Sequence, residues 1–63
     1  MRVIPIDIYE DGNLVRIEFV SEAGDFEMQA LWDEHDEQTP INRLEFRKWA
    51  YHMVRQAGYE VDA

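Results

Sequence analysis

The sequence predicts a small α+β domain, an antiparallel three-stranded β-meander that begins with a β-hairpin and packs on one C-terminal α-helix. Three observations carry this. Apolar residues recur at every second position through the first half of the chain and at helical spacing through the second, and the dipeptides Asp11-Gly12 and Thr39-Pro40 punctuate the pattern. Sixty-three residues allow a single domain, 1–63. A chain of this size buries only about 60% of its unfolded surface. It has no cysteine, hence no disulfide and no thiolate zinc site. Either its aromatic residues (three Phe, two Trp, three Tyr) build a dense core, or a partner completes it.

In the first strand Ile4, Ile6 and Ile8 alternate with Val3, Pro5, Asp7 and Tyr9. Asp11-Gly12 suits a two-residue type I′ turn, whose two central positions both need positive φ. The second strand, Leu14 to Val20, places Val15, Ile17 and Phe19 on one face. A turn at Asp11-Gly12 pairs Ile8 with Val15, Ile6 with Ile17 and Ile4 with Phe19, so these six are expected to face the helix. The same register sets Asp7 opposite Arg16, a favourable cross-strand pair. Pro5 then lies in a non-hydrogen-bonded pair, which requires an edge strand.

After a loop over 21–25, Phe26, Met28, Ala30 and Trp32 alternate in a third strand. Loop length leaves Glu18 free to pair with Gln29 or with Glu27, and only the first avoids like charges. The polar run 33–38 leads to Thr39 as N-cap and Pro40 at the first helical position. At 100° per residue Phe46, Trp49, Ala50, Met53, Val54 and Ala57 share one arc, the expected core stripe, which makes Trp49 a core residue. Gly58 suits the residue after the helix cap, with Tyr59 packing back on Val54. Tyr59 to Asp62 reads either as a short fourth strand or as a fraying end.

The net charge is −8, unevenly spread. Residues 1–39 hold eleven acids against Arg2 and Arg16, a balance of −9, whereas residues 40–63 balance at +1. Such a chain repels nucleic acid and membrane surfaces and attracts basic proteins. No apolar run approaches the roughly 20 residues of a membrane span, and Asp7 interrupts Val-Ile-Pro-Ile too early for a secretory leader. A cytoplasmic location is expected.

No nucleophile-elbow, P-loop, zincin or dinucleotide-binding motif occurs, so no enzyme activity and no cofactor are expected. His35 sits among Asp33, Glu34, Asp36 and Glu37, but consecutive side chains cannot converge on one ion, and hydrated acids ahead of a helix explain the run. His52 has no nucleophile or orienting acid beside it in the sequence.

Two surfaces are candidates for binding. The acids Asp7, Glu18, Glu22, Asp25, Glu27, Asp33, Glu34, Asp36 and Glu37 would engage a basic protein as substitutes for phosphate. Alternatively, with the isoleucines turned to the helix, the open sheet face would carry Val3, Tyr9, Leu14, Val20 and Leu31, enough apolar surface for a homodimer or another protein. Leu44, Arg47 and Tyr51 on the outer helix face extend that second candidate. Size, acidity and lack of cysteine resemble the small accessory proteins that phages and mobile elements direct at host machinery. The leading expectation is a non-enzymatic inhibitor of a basic, nucleic-acid-binding protein, and the alternative is an assembly module that pairs through its open sheet face.

Overall fold

The computed structural model describes residues 1–62. The chain forms β1 (Arg2–Glu10), β2 (Asn13–Ser21), β3 (Phe26–Leu31), α1 (Pro40–Gln56) and β4 (Glu60–Val61). The sheet order is β3-β2-β1-β4, antiparallel except for the β1–β4 pair. The fold is thus the expected α+β meander and helix, with Glu60–Val61 forming a short fourth strand.

The hairpin turn lies where the dipeptide puts it. Asp11 (φ 50°) and Gly12 (φ 79°) both take positive φ, and Glu10 pairs with Asn13 and Tyr9 with Leu14. The register then shifts. Between Ile8 and Tyr9 the pairing slips by one, leaving Val15 as the extra residue of a β-bulge, so that Ile8 pairs with Arg16, Asp7 with Ile17 and Pro5 with Phe19. A one-residue slip turns every side chain of a strand over. The expected core face is therefore right for Ile17 and Phe19 of β2, inverted for β1, and wrong at the bulge, where Leu14 rather than Val15 is buried. Ile17 and Phe19 are fully buried, together with Val3, whereas Ile4 and Ile6 point away from the helix and are exposed. The expected Asp7–Arg16 pair does not form, because the bulge carries Asp7 to the helix side; Arg16 bonds Glu18 instead, at 2.9 Å.

A second bulge lies between β2 and β3. Glu18 pairs with Gln29 and Phe19 with Met28, and then Val20 pairs with Phe26. Met28 and Ala30 stay on the core side, while Phe26 moves to the open face beside Val20 and is exposed.

Thr39 caps α1, its hydroxyl accepting the Asn42 N–H at 3.1 Å, with Pro40 following. At the far end Gly58 (φ 99°) follows the cap, its N–H bonds the Arg55 carbonyl, and the Tyr59 N–H reaches the Val54 carbonyl, a Schellman closure. The helix is turned about its own axis by roughly 60° from the expected stripe, at 100° per residue. Ala50 and Val54 are buried as expected, and Phe46 and Tyr51 pack on the core, but Trp49 is 51% exposed and Met53 half exposed. The inverted β1 explains the rotation: Asp7 now faces the helix, and Arg47 turns inward to meet it.

Candidate binding surfaces

Six apolar side chains gather on the sheet face that α1 leaves uncovered: Ile4, Ile6 and Ile8 of β1, Val20 of β2, and Phe26 and Leu31 of β3. Ile4 (39%), Ile6 (42%), Phe26 (57%) and Leu31 (62%) are exposed. Scattered exposed apolars are ordinary; a contiguous row is not, and Ile4, Ile6 and Ile8 run along β1 and continue through Val20 to Phe26, with Leu31 set apart beyond Arg16 and Gln29. Polar groups on this face are the Arg16–Glu18 pair, Gln29, and the Arg2–Glu60 pair at 3.6 Å on the β4 edge.

Of the residues expected on this face, only Val20 and Leu31 lie there as open apolar groups. Val3 and Leu14 are fully buried and cannot meet a partner, and the same register slip is the cause. Tyr9 is exposed, and its hydroxyl accepts from Arg47 at 3.3 Å. On the helix Leu44 is exposed, but Tyr51 sits edge-on to Phe19 at 6.0 Å and belongs to the packing between helix and sheet. Arg47 donates from Nη2 (2.7 Å) and Nε (3.3 Å) to one oxygen of Asp7, so it is turned toward the sheet. These bonds hold its guanidinium more firmly protonated than usual.

The acids do not form one surface. Asp7 is committed to Arg47 and Glu18 to Arg16. Glu22, Asp25 and Glu27 cluster at one end of the sheet, around a depression shared with Met1 and Arg2. Glu10 and Glu34 flank another at the hairpin end, beside Val15 and Leu31. Asp33, Asp36 and Glu37 lie in the ordered loop before α1. There Asp33 accepts the His35 N–H and Asp36 donates to the Asp33 carbonyl, each at 3.0 Å. Carboxylates thus stand at both ends of the apolar face.

A third feature lies at the β3 edge, where a cleft of about 410 Å³ opens between the end of β3 and the first turns of α1. Trp32, Phe46 and Trp49 form its wall, with Leu31 and Asn42, and Asp33, Asp36 and Glu45 stand at its rim. Trp32 meets Phe46 edge-on at 5.0 Å, and Phe46 stacks on Trp49 at 6.1 Å. The Trp32 indole N–H is anchored on the Asp36 carbonyl at 3.2 Å, which fixes the ring. Trp32 and Trp49 read as core residues in the sequence; the acids that follow Trp32 signal a wetter setting there, and no such signal surrounds Trp49.

Among the described residues no group of three or more His, Asp or Glu side chains is placed to share a metal ion, and neither His35 nor His52 makes a side-chain hydrogen bond. No helix among them is long and apolar enough to cross a membrane. No protein-family model matches the chain, and no curated protein or solved structure matches it either.

Proposed function

We propose that this chain is a non-enzymatic cytoplasmic binding protein that docks on a basic protein through its open sheet face and blocks it, in the manner of a phage or mobile-element accessory inhibitor. The observation that carries the reading is the apolar face of Ile4, Ile6, Ile8, Val20, Phe26 and Leu31 set between two carboxylate ends. Specific interfaces combine an apolar centre with a polar rim. Here an apolar band from β1 through Val20 to Phe26 is bordered by carboxylates, so the complementary surface is apolar against the band and rich in Lys and Arg around it. Arg and Lys groups that ordinarily hold phosphate are the natural match, and occupying them competes with nucleic acid.

The same face supports a second reading, self-assembly. Charge argues against it: stacking two copies face to face, with strands aligned either way, brings carboxylate ends onto carboxylate ends, in a chain already at −8.

Capture from lysate with wild-type, Ile6→Asp and Glu22→Gln/Asp25→Asn/Glu27→Gln baits tests the proposal. Docking on a basic protein predicts loss with Ile6→Asp, weakening of several-fold with the triple neutralisation or between about 50 and 200 mM salt, and displacement of the partner by polyphosphate. Capture indifferent to all of these sinks it. A wild-type dimer in sedimentation that Ile6→Asp turns into a monomer establishes self-assembly instead.

A further inference from the structure

We propose that the cleft between β3 and α1 receives an arginine side chain of the docked protein; this deepens the docking reading and rests on its partner being basic. The cleft's 410 Å³ falls at the lower end of the roughly 300–1,000 Å³ typical of ligand sites. Its wall is aromatic and its rim anionic, the combination that a cation satisfies twice: the ring faces attract positive charge, and carboxylates accept its N–H donors. Asp33, Asp36 and Glu45 are exposed and have no ion-pair partner among the described residues, so their charge is available.

The shape of the wall selects the cation. A quaternary or methylated ammonium is best held by rings that surround it. Here Phe46 lies nearly parallel to Trp49, at 28°, and edge-on to Trp32, at 73°, so the rings form an open corner of two walls rather than a closed box. A planar guanidinium stacks on one such wall while its edge donates to carboxylates, which a compact ammonium cannot do as well. Trp32 is already ordered by its bond to the Asp36 carbonyl, so the wall needs little further fixing on binding. Leu31 belongs both to the cleft lining and to the open face, so a protein seated on that face can reach past it into the cleft.

The probe is the peptide acetyl-Gly-Arg-Gly-amide, titrated at constant ionic strength while the indole N–H signals of Trp32 and Trp49 are followed by NMR. The comparison ligands are the neutral isostere with citrulline in place of Arg, the corresponding Lys peptide, and tetramethylammonium. The expected result is a saturable shift of both indoles with the Arg peptide, weaker by at least about fivefold for the Lys peptide and tetramethylammonium and absent for citrulline. Trp49→Ala and Glu45→Gln, both at exposed positions, should each weaken binding about fivefold. No saturation, or equal response to citrulline, overturns the proposal. Ile6→Asp, which destroys the docking face, should bind the peptide unchanged. A protein that captures an Ile6-dependent partner yet ignores the peptide therefore loses the cleft and keeps the docking, while peptide binding without Ile6-dependent capture has the opposite meaning.

Discussion

The side-chain amide of Gln38 completes the sheet beside Leu14: its Oε1 accepts the Leu14 N–H at 3.2 Å and its Nε2 donates to the Leu14 carbonyl at 3.0 Å. Because β3 ends at Leu31, the backbone of Leu14 has no strand beside it, and the amide takes the place of the missing peptide. Gln38→Ala removes both partners and should cost about 1–2 kcal/mol in chemical denaturation. Gln38→Glu keeps the acceptor but sets a charged oxygen against the Leu14 carbonyl, and should cost at least as much. If both variants unfold like wild type, the amide does not hold the bulge.

Phe19 and Trp49 should differ in a way that the hydrophobic pattern alone does not suggest. Phe19 is fully buried, and Phe19→Ala should cost about 3–5 kcal/mol, which would unfold most of a domain this small. Trp49 is 51% exposed, and Trp49→Ala should cost about 1 kcal/mol, since only part of its surface is removed from water. Melting curves of the two variants decide the matter; equal losses would mean that Trp49 belongs to the core.

Asp7 and Arg47 tie β1 to α1 through two donors on one carboxylate oxygen, in a setting less than one-third exposed. A double-mutant cycle with Asp7→Asn and Arg47→Gln should give a coupling of about 1 kcal/mol, above the usual surface pair because both groups are partly shielded. The coupling should persist at 0.5 M salt, where exposed pairs fade. A coupling near zero would make the helix rotation independent of this bond.

Burial pushes the Tyr51 phenol above its ordinary 10.0, with Asp7 adding to the rise and Arg47 and Arg55 opposing it. The native state therefore holds this proton more tightly than the unfolded chain. The associated stability is fully present below pH 10.0 and is lost as pH rises through the elevated native value. The raised value for Arg47 acts in the same sense, but the guanidinium stays protonated well above the pH at which the phenol titrates. Melting temperature should hold to pH 9.5 and fall toward pH 11.5, and Tyr51→Phe should make that fall shallower. An identical decline in the variant would assign the loss to other groups.

The features legible in the sequence are local ones. Asp11-Gly12, Thr39-Pro40 and Gly58-Tyr59 each act within a few residues, and each turn or cap forms where its chemistry demands. The hairpin register was not legible, because the bulge at Val15 is accommodated by Gln38, a residue 24 positions from Leu14. Once β1 turned over, Val3 and Ile4 exchanged roles, and the uncovered face carries the isoleucine row rather than Val3, Tyr9 and Leu14. Both rows of β1 alternate equally well, and only the contents of the opposite layer choose between them. The same gap hid the cleft, since a helix read by apolar arc places Trp49 inside, and only the Asp7–Arg47 bond reveals the rotation that brings it out.

Pro5 has a consequence for the sheet's free edge. The Val3 carbonyl accepts from the Asp62 N–H on the β4 side, and residues two apart point the same way, so the amide that proline lacks would have pointed past the end of β4. An incoming strand from another molecule finds a gap in the hydrogen-bonding row just where the two-residue β4 stops protecting it. On the β1 side the chain therefore presents an exposed isoleucine row on one face while interrupting the edge-to-edge pairing from which fibrils grow.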